Sequence, residues 1–226
     1  MTVLLSANVG TSRPLTVRGR SRGSAIDKRP VDGPVAVHRL GLDGDIQVER
    51  RYHGGRHRAV YAFAAEDLAV WAARLGRQFP PGSFGENLTL SGLDVNSARI
   101  GERWRIGTVV LEVCDVRTPC YTFQAWLQEP RWVRRFAAEG RPGAYLRVVE
   151  EGSLRAGDLV EVVEHRNHDV TVALMFRART TDRELLPLLL QEPRTHPQSL
   201  TRARTYAAKA ALEQPASVAA ATGQAS

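Results

Sequence analysis

Thr108-Val-Val-Leu-Glu-Val-Cys-Asp115, running on through Val116-Arg-Thr-Pro to Cys120, is the stretch on which the reading of the fold turns. Its first eight residues are rich in β-branched side chains and have strand length, and Pro119 then holds the chain just before a cysteine. Outward from it, runs of the same kind lie at Gly33–Leu40, Arg103–Ile106, Ala144–Val149 and Leu159–Glu164, punctuated by Gly, Asp and Pro. Short strands bounded by turns, without regular strand–helix alternation, favour a barrel or sandwich over a doubly wound parallel sheet.

Two helical insertions interrupt the strands. In Ala65–Leu75 the apolar residues Leu68, Trp71, Ala72 and Leu75 recur at helical spacing, with Gly76 as a stop. Tyr121 to Ala138 reads as two short helices broken at Pro130. After Glu164 the texture changes: glycine vanishes from His168 to Leu212, and helical segments are expected at Val170–Arg179, Asp182–Gln191 and Gln198–Leu212, with Asp182 as a cap and Pro197 before the third. The expected organisation is a strand-rich domain over 1–165, a three-helix domain over 168–212 and a disordered tail over 213–226.

The 226 residues carry a net charge of +7, with 43% hydrophobic and 24% charged residues, which excludes collagen-like, coiled-coil and disordered classes. Of the 31 basic residues only Lys28 and Lys209 are lysine. A basic chain invites an anionic partner. The arginines, however, spread from Arg13 to Arg204, and the tightest groups, Arg18-Gly-Arg20-Ser-Arg22 and Arg131 to Arg135, are short and lack interleaved aromatics, so no nucleic-acid partner is expected. No stretch reaches the roughly 20 apolar residues that span a bilayer, and the N-terminus lacks a signal-peptide pattern; no membrane partner and a cytoplasmic location are therefore expected. In that compartment Cys114 and Cys120 are expected as free thiols.

Three segments could carry chemistry. Gly41 to Gly55 combines glycines with Asp43, Asp45 and His53, but matches neither a P-loop nor a dinucleotide fingerprint. In Pro80 to Thr89, a Gly-rich turn carrying Ser83, Glu86 and Asn87 could offer backbone N–H groups and small polar side chains to an anion or a heteroaromatic ring. In Glu112 to Cys120, Cys114 lies within the strand and reads as buried and inert. Cys120, near Arg117 and at a helix start, is placed for thiolate chemistry or soft-metal ligation.

Taken in order, Lys28-Arg-Pro-Val-Asp-Gly-Pro, Gly41-Leu-Asp-Gly-Asp, His53-Gly-Gly with Ala59-Val-Tyr, Pro81-Gly-Ser-Phe-Gly-Glu-Asn-Leu-Thr, Ile100-Gly-Glu-Arg-Trp, Arg117-Thr-Pro-Cys, Gly140-Arg-Pro-Gly-Ala-Tyr-Leu-Arg-Val and Ala156-Gly-Asp resemble the MOSC family, named for the C-terminal domain of molybdenum cofactor sulfurase, in its YiiM-like bacterial branch. The resemblance spans roughly residues 5 to 163. Arg58, where a lysine would be expected, and Phe63, where a tyrosine is common, are its small departures.

The resemblance implies an α+β fold: a MOSC-type β-barrel with inserted helices, followed by a small C-terminal helical domain. It implies the molybdenum cofactor rather than pyridoxal phosphate, with Cys120 as both metal ligand and catalytic residue. Lys28, His53, Gly54, Ser83, Asn87 and Arg117 become candidates for holding the cofactor, and His53 and Asp45 for delivering protons or fixing the loop. The implied activity is reduction of N-hydroxylated bases and related compounds, typified by 6-hydroxylaminopurine, to the amine plus water. A small N-hydroxylated substrate and an external electron donor, a flavoprotein reductase, follow as partners, because no flavin, haem or iron–sulfur signature occurs in the chain. A sulfur-transfer or cofactor-carrier module using Cys120 is the alternative. The helical appendage could cover the pocket, recruit the reductase or form a homodimer.

Overall fold

The computed structural model describes residues 1–48 and 54–213. Thirteen strands are named in chain order: β1 (Val3–Gly10), β2 (Arg13–Val17), β3 (Arg20–Ser24), β4 (Lys28–Pro30), β5 (Val35–His38), β6 (Gly41–Leu42), β7 (Val60–Ala64), β8 (Leu88–Ser91), β9 (Arg103–Ile106), β10 (Val109–Val116), β11 (Ala144–Glu150), β12 (Gly152–Leu154) and β13 (Val160–Glu164). Among the described residues the α-helices are α1 (Ala65–Leu75), α2 (Tyr121–Leu127), α3 (Trp132–Glu139), α4 (Val172–Thr180) and α5 (Pro197–Glu213).

An eight-stranded mixed sheet in the order β13-β9-β10-β11-β7-β8-β1-β4 forms the centre, with β7 and β8 parallel and the other neighbours antiparallel. The expected barrel is not formed. Closure requires a continuous ladder between β13 and β1, and there the chain makes one isolated bridge, Val3 with Leu159, so the sheet curls without joining its ends. Three strands, β12-β5-β6, form a separate small sheet, and β2 and β3 a two-stranded hairpin.

Burial explains the central strands. Every residue of β10 and of β7 is buried, so both are covered on their two faces and show no polar alternation. α1 lays Leu68 and Trp71 onto the sheet and ends where Gly76 adopts a left-handed conformation, as the sequence indicates. Trp71, Phe84, Phe123, Trp132 and Phe136 pack with ring centroids 4.5 to 6.4 Å apart, locking α1, α2, α3 and the 84 loop into one block.

The C-terminal segments pack against β10 and α3: Phe176 of α4 meets Phe136 edge-on at 6.0 Å, and the His196 N–H donates to Cys114 O at 2.9 Å. α4 starts at Thr171, whose side chain accepts from Leu174 N. The segment Arg183–Gln191 forms a 3-10 helix rather than the expected α-helix; Pro187 lies inside it and cannot donate a backbone hydrogen bond. Asp182 makes no side-chain cap there; its carboxylate pairs with Arg177. Apart from Glu213, the tail expected over 213–226 lies outside the described residues. No helix among the described residues is long and apolar enough to cross a membrane.

Candidate functional site

A cavity of about 650 Å³ opens between the β2–β3 hairpin, the 45–48 loop, and the sheet face under β7 and β11. Sheet register builds its floor. Tyr145 on β11 pairs with Tyr61 on β7 on one side and with Asp115 on β10 on the other, and both tyrosines line the cavity. Beyond Val116 the chain leaves the sheet as Arg117-Thr-Pro and enters α2 with Cys120 as its N-cap residue, half-buried and lining the same cavity.

Arg117 is the unusual group. Its side chain is 7% exposed, its guanidinium carbon lies 4.4 Å from the Phe123 ring centroid and 4.9 Å from that of Tyr61, and its Nε is buried without a hydrogen-bond partner. Among the described residues no carboxylate lies within ion-pair distance of it. Burial works to lower its pKa, but Tyr145, Tyr61, Cys120 and Glu86 outweigh that and the net shift is upward, so the cation persists. A buried guanidinium with no anion is costly, and Arg117 bears that cost while lining the cavity.

Lys28, Asp45 and Asn87 are brought together, but they bind one another. Asp45 Oδ1 accepts from Lys28 Nζ and from Gly10 N–H (2.8 Å), and its Oδ2 from Asn87 Nδ2 (2.9 Å). Asn87 Nδ2 also donates to Asn8 O at 3.2 Å, and its Oδ1 accepts from Tyr61 N–H at 3.1 Å. The three residues clamp β1, β4 and the start of β8 around the cavity wall, and Asp45 cancels the Lys28 charge. Burial lowers the Lys28 pKa, with Asp45 opposing.

The Gly-rich turn spends its polar groups internally. The buried Glu86 carboxylate accepts from Gly82 N–H (2.6 Å), Phe84 N–H (2.9 Å) and the Thr89 hydroxyl (2.9 Å), while burial raises its pKa. The Ser83 hydroxyl donates to Pro80 O, and Ser83 does not line the cavity. Glycine is required at 82, where φ is +87° and a Cβ would lie 2.2 Å from Lys28 O. Gly54 is half-buried and lies off the cavity lining. His53 lies outside the described residues.

Cys114 is fully buried, donates to His57 O at 3.1 Å, and has its thiol pKa pushed well up by burial. Behind the floor, Asp115, fully buried, accepts from Arg58 Nε at 2.8 Å and pairs with Arg179 of α4, tying a cavity-lining arginine to the C-terminal helices. Arg58 differs from the lysine expected there in that its guanidinium bonds Asp115 through Nε while the residue lines the cavity.

Arg18, Arg22, Arg58, Tyr61 and Tyr145 line the site although the sequence did not mark them as candidates to hold the cofactor or to catalyse. For Tyr145 the signal was present: alternation along Ala144-Tyr-Leu-Arg puts Tyr145 on the face opposite Leu146. Its hydroxyl makes no hydrogen bond among the described residues, and burial raises its pKa against the opposing charges of Arg117 and Arg58.

A MOSC domain profile matches residues 49–161. Protein YiiM of Escherichia coli is 34% identical over 152 residues, covering 66% of this chain and 67% of that protein. A protein of Gibberella moniliformis named Reductase is 30% identical over 200 residues, 85% of this chain but 35% of that longer protein. The crystal structure of YiiM from Geobacillus stearothermophilus superposes with a TM-score of 0.75 at 28% identity, covering 91% of this chain and 98% of that one. Similarity across most of the chain, in sequence and in fold together, identifies it: the chain belongs to the MOSC-domain family, in its YiiM-like branch.

Proposed function

We propose that the chain is a molybdenum-cofactor-dependent reductase that converts an N-hydroxylated base to the amine. The observation that carries this reading is the pairing, in one cavity, of a thiol with a buried guanidinium that lacks an anion: Cys120 and Arg117. Among the described residues no group of three or more His, Cys, Asp or Glu could hold a metal ion. That donor set suits a metal that brings its own sulfur ligands and takes one soft protein donor, Cys120. Arg117 matches the phosphate such a cofactor carries, and Lys28 lies in the same wall as a neutralised clamp. The name of the Gibberella relative, Reductase, supports the same class of chemistry.

Held by Cys120 and Arg117, the cofactor would supply the two-electron redox chemistry for reduction of the N–O bond. The balance is R–NHOH plus two electrons and two protons giving R–NH2 and water, with the electrons delivered by an external donor, a flavoprotein reductase. Tyr145 is the chain's proton donor in this reading: it lines the cavity and its hydroxyl makes no hydrogen bond among the described residues, although burial, by raising its pKa, makes it a weaker acid. Asp45 is a positioning residue, since both of its oxygens are already engaged.

The test is turnover of 6-hydroxylaminopurine by protein made in a cofactor-competent host, with an artificial electron donor. Adenine formation supports the reading. Molybdenum-loaded protein that forms no adenine contradicts it and favours a cofactor-carrier module.

A further inference from the structure

The β2–β3 hairpin is not accounted for by the cofactor or the sheet. Its two-residue turn, Arg18-Gly19, has both φ angles positive, at +51° and +75°, the pattern of a tight hairpin turn. Alternation puts Arg20 and Arg22 on one face of β3. Arg18 and Arg22 line the mouth of the cavity, and the Arg18 guanidinium carbon is fixed 4.4 Å from the ring centroid of Tyr121, the residue after Cys120. Among the described residues none of Arg18, Arg20 and Arg22 has a carboxylate within ion-pair distance, whereas Arg13 on the neighbouring strand pairs with Asp27. The other arginine-lined hollow, around Arg39, Arg56, Arg103 and Arg147, differs because Glu112 engages both Arg103 and Arg147.

Three guanidinium groups on one small hairpin carry charge that no carboxylate among the described residues balances, and two of them, Arg18 and Arg22, line the cavity. A dianion at Arg18 and Arg22 would balance that charge, and arginine's planar fork matches a phosphate. Cys120 and Arg117 lie in the same cavity, so a ligand held by its phosphate on the hairpin can extend inward toward the thiol.

We propose that the hairpin is a phosphate-monoester subsite for the substrate, so that the site takes its N-hydroxylated base as a nucleoside 5′-phosphate. This rests on the reductase reading above, and its chemistry is shared with the cofactor's own terminal phosphate.

The experiment measures binding of adenosine 5′-monophosphate and of adenosine to the full-length, molybdenum-loaded protein by calorimetry. The nucleotide should bind at least about tenfold more tightly than the nucleoside, the contribution of a single charge-assisted hydrogen bond. A double Arg18→Gln, Arg22→Gln variant should erase that difference while keeping its molybdenum. Equal binding of the two ligands by the unmodified protein overturns the proposal without touching the reductase reading. Loss of molybdenum from the double variant also overturns it, assigning the hairpin to the cofactor's phosphate. Tighter binding of a single-stranded oligonucleotide than of the mononucleotide does the same in favour of nucleic acid. A protein with the nucleotide preference but no turnover upholds the hairpin and removes the reductase reading.

Discussion

Replacing Asp115 with asparagine keeps the side chain's shape and removes one charge from a fully buried position. The Arg58 contact at 2.8 Å represents roughly 6 kcal/mol of gross attraction at an effective dielectric of about 20. Much of that is offset by desolvation, and breaking a buried pair typically costs about 3–5 kcal/mol net. Arg179 fares worst: its side chain is 8% exposed, its terminal nitrogen pairs with Asp115, and its Nε has no hydrogen-bond partner. Burial already presses its pKa down. We therefore expect Asp115→Asn to lose about 3–5 kcal/mol, or about 6–20 °C of melting temperature for a chain of this size. Arg179→Met removes the buried cation and leaves the Asp115–Arg58 contact, so it should cost less, under about 2 kcal/mol. Urea denaturation followed by tryptophan fluorescence measures both. An Asp115→Asn protein within about 1 kcal/mol of the parent, or an Arg179→Met protein that is the less stable of the two, would refute the charge argument.

Three other outcomes follow from the geometry. Gly82→Ala should destabilise by at least about 2 kcal/mol in the same denaturation assay, from left-handed strain plus the 2.2 Å approach to Lys28 O; an unchanged midpoint contradicts the turn's packing. Burial, with help from Arg58, His57 and Arg179, lowers the His196 pKa from 6.5 to about 4, so the fold favours the neutral ring. Its stability contribution is complete above pH 6.5 and is lost as pH falls toward about 4. His196→Gln should lose less stability than the parent across that window, and equal losses would contradict it. Tyr145→Phe should lower kcat for 6-hydroxylaminopurine by about 10²-fold or more at unchanged molybdenum content, whereas unchanged kcat would remove Tyr145 as the proton donor.

The parts of the fold that were legible are those where one local rule decides. β10 shows as a strand because β-branched residues recur through it at strand length, although its burial on both faces, Glu112 and Asp115 included, does not, and α1 shows because its apolar spacing and Gly76 agree. β1 and the β2–β3 hairpin were not singled out as strands. Val3–Gly10 has no clean alternation because it pairs with β8 through one half and β4 through the other, and the hairpin's polar, arginine-rich strands look like a solvated loop. Whether a sheet closes depends on the distant meeting of Val3 with Leu159, which no local pattern encodes. At the site, Cys120, Arg117, Lys28, Asp45 and Asn87 were legible as residues of one region. Their partners were not, so nothing in the sequence revealed that Asp45 and Asn87 are occupied with each other while Arg117 is left without an anion.

The central claim is that Cys120 is the protein ligand to a molybdenum cofactor, and X-ray absorption at the molybdenum edge tests it most directly. Protein from a cofactor-competent host should contain stoichiometric molybdenum, and Cys120→Ser, which still folds because the thiol is half-buried at a helix N-cap, should lose the metal or show one fewer sulfur neighbour. The same sulfur coordination and full metal content in both proteins would contradict the account.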